Sequence, residues 1–334
     1  MTEKHYGGAS SHGLNDKASK TPNKIDKKMP NNKKPLEDSD NNKKSTQDNS
    51  IEGYSNFLKA NEIALKVKEY VKTIVKPGIP LLELAEKIEQ KTLDLGGKPA
   101  FPVNLSINEI AAHYTPSWND ETKASGLLKV DFGVSINGCV SDNAISFDLE
   151  NNRENKRLIE AAELALKNAT ETIALGITIS KIGEQIEKSI KSFGFQPIQN
   201  LSGHSIEPYE LHSGITVPNY DNSSNKEIIP GVYAIEPFST NGLGSVRDGR
   251  PSGIYKLEKP GNVRDSFARE VLNYIVEEYK TLPFCSRWIY KKFNSRGLLA
   301  LRQIEQAGVL HHYAQLVESG KGKVAQAEHT VIIK

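Results

Sequence analysis

The segment GIPLLELAEKIEQKTLDLGGKP, residues 78–99, recurs in altered form as GITISKIGEQIEKSIKSFGFQP, residues 176–197. At one constant offset the segments share glycines, isoleucines, glutamates and a proline, namely Gly78/Gly176, Ile79/Ile177, Glu86/Glu184, Ile88/Ile186, Glu89/Glu187, Gly96/Gly194 and Pro99/Pro197. Capping glycines and core isoleucines in the same register indicate a duplicated unit. Two such units, each giving helices and then strands, predict a pseudo-twofold α+β domain, in which ligands often bind where the halves meet.

The composition is that of a globular protein. The 334 residues are 37% hydrophobic and 25% charged, with a formal net charge of +2, which gives no argument for binding DNA or a membrane. The sequence contains no apolar run of about eighteen residues, and the start, MTEKHYGGAS, lacks the apolar core of a secretory signal. Two cysteines exclude a disulfide framework and fit a reducing compartment. We therefore expect a cytoplasmic protein of one large domain or two smaller ones.

Residues 1–50 differ from the rest of the chain, because Lys, Asn, Asp, Ser and Pro dominate and large apolar residues are few. Such a segment cannot bury enough apolar surface to offset the entropy of ordering it. We therefore expect a disordered tail ahead of a folded domain at residues 51–334. The tail holds ten lysines against seven acidic residues, so it is either a solubilising segment or a weak basic contact with ribosomal RNA.

Helical periodicity begins near residue 54, ends at Lys76-Pro77-Gly78, and resumes from Pro80 to Gly96-Gly97. The first helix is predicted from apolar residues at three- and four-residue steps, namely Phe57, Ala60, Ala64, Val67, Val71 and Ile74. A later stretch, residues 263–318, carries Leu, Ile, Tyr and Phe at helical spacing. It predicts a helical subdomain, at about residues 245–318, inserted before the last strand.

Residues 127–147, LLKVDFGVSINGCVSDNAISF, alternate as strands around Asn137-Gly138, a strong signal for a two-residue hairpin turn. With this turn Asp142 faces Gly133, and Asp131 lies two residues away on the same face. The two carboxylates would be diagonal neighbours, roughly 7–8 Å apart at Cα. They either face solvent or share a cation, since like charges side by side on a strand are otherwise unfavourable. The apolar residues around them favour the cation.

Two glutamates lie in segments that also predict buried strands. Glu236 interrupts VYAIEPF at residues 232–238, and Glu328 lies in VAQAEHTVII at residues 324–333. A glutamate is almost never fully buried without a partner. Each could form a single buried salt bridge. Four such acidic side chains without an adjacent basic residue are compensated more simply by more than one divalent cation.

Histidines supply the other ligand type. His204 and His212 lie in LSGHSIEPYELHSG, residues 201–214, a segment with the Gly and Ser content of a functional loop. His113 lies in EIAAHYTPSW. A lone histidine is more often structural than a ligand. One imidazole with four carboxylates, however, forms an oxygen-rich site that suits Mn, Fe(II) or Co better than a structural zinc.

Five segments together resemble the type 2 methionine aminopeptidases in order, spacing and content, from about residue 52 onward. The hairpin alone is shared with other enzymes of the pita-bread (creatinase/aminopeptidase) fold, whose pseudo-twofold α+β architecture agrees with the repeat. LPFCSRW, at residues 282–288, resembles part of the insertion of type 2 enzymes. The five segments are FPVNLSINEIAAHYTP (101–116), KVDFGVSINGCVSDNA (129–144), LSGHSIEPYELHSG (201–214), VYAIEPFST (232–240) and AQAEHTVI (325–332).

The resemblance implies two divalent metal ions (Co, Mn, Fe(II) or Zn) and five ligands. Asp131 would bind one ion through both oxygens, Asp142 and Glu328 would bridge, and His204 and Glu236 would bind the other ion. The implied activity is removal of the initiator methionine from nascent polypeptides, preferably before a small second residue, by attack of a metal-activated water. In this mechanism Glu236 is the acid–base group.

The same resemblance makes His113 and His212 catalytic histidines that also contact substrate. His212 would hydrogen-bond the carbonyl oxygen as it gains charge, and His113 would contact the amide nitrogen of the departing residue. Phe101, Leu211 and Tyr313 would line the methionine pocket. Near Ile254 the sequence departs from eukaryotic members, which carry a second pocket histidine there, and resembles archaeal members.

Two other functions compete with this one. X-Pro dipeptidases and aminopeptidase P share the fold, but they carry a folded N-terminal domain that residues 1–50 are too polar to form. A non-catalytic ribosome-associated relative would be expected to have lost at least one metal ligand, whereas all five residues are present. A monomer is expected, since no long exposed apolar face is evident. The metal, the second-residue preference and any tail contact with the ribosome stay open.

Overall fold

The structure is a computed structural model that describes residues 45–334, with side chains from residue 54 onward. The predicted tail lies outside these residues, except that the first helix already begins at Ser45. None of the helices in the described part is long and apolar enough to cross a membrane. The helices are α1 (Ser45–Ile74), α2 (Leu81–Asp94), α3 (Arg153–Thr172), α4 (Ile179–Ser192), α5 (Ser266–Glu278) and α6 (Ser286–Gln306).

The strands assigned in residues 45–334 form four antiparallel sheets. Their orders are β1-β4-β2 with β5 paired to β4, β15-β9-β7-β8, β12-β11-β13-β3, and β14-β10-β6. The strands are β1 (Lys98–Pro99), β2 (Asn104–Ile107), β3 (Ile110–Ala112), β4 (Leu127–Ile136), β5 (Cys139–Asp148), β6 (Gln196–Pro197), β7 (Ser202–Ile206), β8 (Thr216–Pro218), β9 (Gly231–Ile235), β10 (Phe238–Thr240), β11 (Val246–Leu257), β12 (Phe284–Cys285), β13 (Leu310–Glu318), β14 (Val324–Gln326) and β15 (His329–Ile333).

The internal repeat is visible in the fold. Helices α2 and α4 and the short strands β1 and β6 occupy equivalent positions in the two copies. The glycines that flank the helices have matching left-handed conformations, with φ of 80° at Gly78 and 78° at Gly176, and 86° at Gly96 and 82° at Gly194. Such φ values favour glycine, which has no Cβ, so the repeated glycines end and begin helices in the same way.

Each copy has its own hydrophobic core. In the first, α1 and α2 pack on the sheet that contains β4, and in the second, α3 and α4 pack on β9. The apolar face predicted for α1 is confirmed, since Ala60, Ala64, Val67 and Val71 are fully buried. Each of these two sheets is therefore covered by its own pair of helices.

The prediction of a helical subdomain at about residues 245–318 is only partly right, because this stretch also contains strands. Only α5 and α6 are helices, while β11 and β13 form a long antiparallel pair that bounds them. The apolar residues of LHHYAQLVE, residues 310–318, have a spacing that also suits a helix. Pairing with β11 on one side and β3 on the other overrides that local pattern.

Candidate metal centre

The β4–β5 hairpin positions two aspartates. Its turn residues Asn137 and Gly138 have φ of 51° and 85°, as the type I′ turn requires. Gly133 pairs with Asp142, and Asp131 pairs with Ala144 two positions further along. The register predicted from the sequence is thus confirmed.

Two glutamates lie where strands are interrupted, and not within strands as predicted. Glu236 separates β9 from β10, and Glu328 separates β14 from β15. Pro237 has no N–H to donate to a sheet, so pairing stops at this position. Glu328 instead pairs with Ala144 of the hairpin, with main-chain N–O distances of 3.2 and 3.4 Å. The interruptions free both glutamate side chains to reach the cavity lined by the aspartates.

His204, on β7, completes the cluster. Its Nε2 atom lies 3.6 Å from Oε1 of Glu236 and 3.8 Å from Oδ2 of Asp142. One ligand atom from each of Asp142, His204 and Glu328 lies within 4.8 Å of the others. The five residues predicted as ligands therefore lie together around one cavity.

The electrostatics of the cluster are unfavourable without a cation. Burial raises the pKa of Asp131 to about 7. Burial and then the neighbouring carboxylates raise the pKa values of Asp142, Glu236 and Glu328 well above their usual range. Burial lowers the pKa of His204 to about 3, which leaves its imidazole neutral. Repelling carboxylates beside a neutral imidazole form a donor set for a divalent metal.

Two further observations test whether a cation fits. Oδ1 of Asp131 and Oδ1 of Asp142 are buried and have no hydrogen-bond partner, and buried polar atoms of this kind normally have one. Lys68 of α1 brings a positive charge near the cluster that the sequence did not reveal, but its Nζ donates to the main-chain oxygen of Glu328, at 3.1 Å. One lysine cannot neutralise four carboxylates, so the site fits divalent metal.

Gln326 and Thr330 support the ligands and were not predicted. Gln326 Nε2 donates to Oε2 of Glu328 at 3.2 Å. Oγ1 of Thr330 accepts from the Asp142 N–H at 2.7 Å and donates to the Asp142 carbonyl at 2.9 Å. Both residues are two positions from Glu328, and this strand-like spacing is the signal that could have indicated them.

The other two predicted histidines lie at the same cavity. Nδ1 of His113 donates to the carbonyl of Ala314 at 3.1 Å, and burial lowers the pKa of His113. A neutral ring that donates through Nδ1 keeps an acceptor at Nε2. The His212 ring lies 4.3 Å from the His204 ring, between centroids. Burial, followed by the charges of His113 and Lys256, lowers the pKa of His212 to about 4.

The cavity has a volume of about 250 Å³ and an apolar side. Phe101, Leu211 and Tyr313, the predicted pocket residues, line it together with Ile254 and Pro283. Larger clefts of about 670 and 710 Å³ lie elsewhere in the described part. Neither contains the carboxylate cluster, so the smaller cavity is the candidate functional site.

Comparisons with known proteins agree with this site. The family model described as metallopeptidase family M24 matches residues 55–334, and the chain therefore belongs to that family. The methionine aminopeptidase of Pyrococcus abyssi is 47% identical over 283 residues, 83% of this chain and 95% of that protein. Those of Thermococcus onnurineus and Methanocaldococcus jannaschii are 46% and 43% identical over 284 and 286 residues, 83% and 85% of this chain and 95% and 96% of theirs. The resemblance to type 2 methionine aminopeptidases is thus confirmed.

Solved structures confirm the fold class. The crystal structure of a methionine aminopeptidase from Thermotoga maritima matches with a TM-score of 0.60 and 20% identity, covering 84% of this chain and 93% of that one. The structure of a thermophilic Arx1 matches with a TM-score of 0.70 and 15% identity, covering 84% and 88%. At these identities the likeness concerns the fold alone.

Proposed function

We propose that this chain is a metal-dependent methionyl aminopeptidase that removes the initiator methionine from nascent polypeptides, preferably before a small second residue. One observation carries the proposal. Asp131, Asp142, His204, Glu236 and Glu328 converge on one buried cavity, in a chain of the M24 family whose relatives are archaeal methionine aminopeptidases.

The five converging residues would hold two divalent ions, of Co, Mn, Fe(II) or Zn. The shared carboxylates and the absence of a hydrogen-bond partner at Oδ1 of Asp131 and of Asp142 support this ligand set. Bound metal supplies an acidified water and a polarised substrate carbonyl. The imidazole of His204 is neutral and can donate a lone pair without first losing a proton.

Proton transfer is assigned to Glu236. Glu236 borders the cavity, with its Oε1 3.6 Å from Nε2 of His204, so its carboxylate is placed to act first as a general base and then as a general acid. Glu236 accepts a proton from the attacking water and passes it to the leaving amine. His212 hydrogen-bonds the carbonyl oxygen as it gains charge. His113, whose Nδ1 is engaged by Ala314, offers Nε2 to the amide N–H of the departing residue.

The small cavity supports an exopeptidase. At about 250 Å³ it lies below the range of about 300–1,000 Å³ of ordinary ligand pockets. Phe101, Leu211 and Tyr313 form an apolar wall for one side chain. Ile254 lies beside them, near the position of the second pocket histidine of eukaryotic members. This space suits a single methionine side chain at a chain terminus.

The cellular setting is part of the proposal. A nascent polypeptide is the partner, and we place the protein in the cytoplasm as a monomer. Its large exposed apolar residues, such as Leu175 and Leu243, are few in the described part and do not call for a permanent partner. The ribosome contact predicted for the tail concerns residues outside the described part.

Methionine release from the peptide Met-Ala-Ser, with added Mn or Co, tests the proposal. Release that disappears in Glu236→Ala and with Met-Leu-Ser supports the activity and its small-residue preference. The absence of release by metal-loaded protein contradicts it. Release from an X-Pro peptide would then favour the prolidase-like alternative, and its absence would favour the non-catalytic one.

A further inference from the structure

We propose that Arg287 of the inserted subdomain is a positioning residue for His113, which it orients through the loop that follows the histidine. This inference rests on the role proposed above for His113. Arg287 lies at the start of α6, and its side chain is completely buried.

The guanidinium of Arg287 forms a two-point ion pair with Glu89 of α2. Nη1 donates to Oε2 and Nη2 to Oε1 of Glu89, both at 2.7 Å. Nε1 of Trp288 also donates to Oε2 of Glu89, at 3.0 Å. Two parallel bonds fix the orientation of the guanidinium as well as its distance, so Arg287 is a rigid point between the insertion and the first copy of the repeat.

Two further bonds of this guanidinium reach the loop after His113, and the longer one runs from Nη2 to Oγ1 of Thr115 at 3.5 Å. Nε of Arg287 donates to the carbonyl of Pro116 at 3.0 Å. In the same loop, Oγ1 of Thr115 donates to the carbonyl of Val103 at 2.9 Å. The loop is therefore attached at consecutive residues to a buried charge and to the chain that leads into β2.

His113 itself has a conformation that must be held by its surroundings. Its φ of 63° is uncommon for a residue with a Cβ and costs free energy. The carbonyl of Tyr114 accepts from the Leu105 N–H at 2.6 Å, and the His113 ring is fixed by Ala314. A shift at Pro116 would move this short segment and the imidazole with it.

Lysine cannot replace arginine in this arrangement. It keeps the charge but has no planar fork, and it cannot bond Glu89 at two points while also reaching Pro116. Arg287→Lys therefore loosens the loop without placing an uncompensated charge in the core.

A second ion pair offers a matched control. Nζ of Lys291 lies 2.8 Å from Oε1 of Glu86, and this pair joins the same two helices one turn away. Its side chains are 53% and 39% exposed, and neither is bonded to the histidine loop. Lys291→Ala tests helix docking without loop positioning.

The experiment is a double-mutant cycle on full-length, Mn-loaded protein, with kcat and KM for Met-Ala-Ser and metal content as readouts. We expect Arg287→Lys to lower kcat on the order of tenfold to hundredfold, as misplacement of a catalytic group does, with KM and metal content nearly unchanged. In the His113→Ala background the same change should lower kcat by less than about threefold, because the group it positions is gone. Lys291→Ala should keep the wild-type kcat.

The inference is overturned if Arg287→Lys leaves kcat unchanged, or lowers it by the same factor in both backgrounds. It is also overturned if Lys291→Ala matches the loss of Arg287→Lys. If Arg287→Lys does not fold, the combined change Glu89→Leu and Arg287→Met, which removes both buried charges together, replaces it in the same cycle with the same expectations. An unchanged kcat in His113→Ala alone would instead contradict the proposed role of His113, and wild-type protein without activity would contradict the proposed function.

Discussion

The two copies of the repeated segment keep the same glutamates and use them differently. In the second copy, both glutamates of α4 bind lysines of their own helix. Glu184 bonds Lys188, and Glu187 bonds Lys191 at 2.5 Å. These are i,i+4 pairs on an exposed helix face, of the kind that stabilises a helix by about 0.3–0.5 kcal/mol.

In the first copy, the equivalent glutamates of α2 reach another part of the molecule. Glu86 binds Lys291 and Glu89 binds Arg287, both on α6 of the insertion. Glu89 is 7% exposed, and the guanidinium that it holds is fully buried. The insertion is thus bound through residues that the repeat already contained. The glutamate at one position of the repeat is therefore buried in the first copy, as Glu89, and lies at the surface in the second, as Glu187.

The largest effect on stability is expected from removing metal from the carboxylate cluster, to which both copies of the repeat contribute. Asp131 has a pKa of about 7 in the folded protein without a cation and about 3.9 when unfolded. Between these values the folded form binds the extra proton, so its stability falls as pH rises towards 7 and stays low above it. Chelator should therefore lower Tm much more at about pH 8 than at about pH 5.5, with a difference in unfolding free energy on the order of a few kcal/mol. Thermal unfolding checks this, and an equal loss at both pH values would contradict it.

The comparison between the copies is tested most directly by Glu89→Gln and Glu187→Gln. The first change leaves Arg287 buried without a counter-charge, which should cost about 3–5 kcal/mol of unfolding free energy. The second removes the charge of a surface pair, and the amide oxygen of Gln can still accept from the Asp221 N–H as Glu187 does at 3.1 Å, so it should cost less than about 1 kcal/mol. Urea unfolding measures both. Similar losses would mean that the two glutamates are equivalent after all.

A smaller effect is expected at Gly183 of α4, which stands where α2 has Ala85. A Cβ at Gly183 would lie 2.1 Å from the carbonyl oxygen of Tyr220, so the helix and β8 must separate. Gly183→Ala should destabilise the protein by about 1–3 kcal/mol, although alanine is the better helix former. A Gly183→Ala protein with a raised urea midpoint would show that this close approach is not required.

The smallest effects are expected for Glu86 and Glu184, the partly exposed glutamates of the two copies. Glu86→Ala and Glu184→Ala each break surface pairs, and each should leave the urea midpoint nearly unchanged. The losses should shrink further in high salt, which screens exposed charges. A much larger, salt-independent loss for Glu86→Ala would mean that docking of the insertion depends on this outer pair.

Local sequence chemistry predicted part of this structure correctly. The Asn137-Gly138 turn defines its own register, so the positions of Asp131 and Asp142 followed from counting residues. The repeat predicted α2 and α4 because glycines and isoleucines recur in register. The roles proposed for His113, His212 and the pocket residues came from the resemblance to a known family, because no local pattern indicates them.

Long-range contacts explain what the sequence did not predict. Lys68 and Glu328 are far apart in the chain, as are Glu89 and Arg287, and no periodicity connects them. The strand is interrupted at Glu236 because Pro237 has no N–H to donate. This matters only where a neighbouring strand would otherwise accept the hydrogen bond. The apolar spacing of β13 also suits a helix, and this segment is a strand because it pairs with β11 and β3.

The tight hairpin also affects the order of folding. A β-hairpin of this kind forms in about 1–10 μs, so Asp131 and Asp142 can face each other before the remainder of the chain has folded. His204, Glu236 and Glu328 come later in the chain. Glu328 reaches the hairpin when its main chain pairs with Ala144. High-affinity binding of a metal ion then requires pairing between strands that are far apart in the chain, and such pairing forms slowly. An early intermediate would hold a divalent ion weakly through two carboxylates, and high-affinity binding during refolding would report the last docking event.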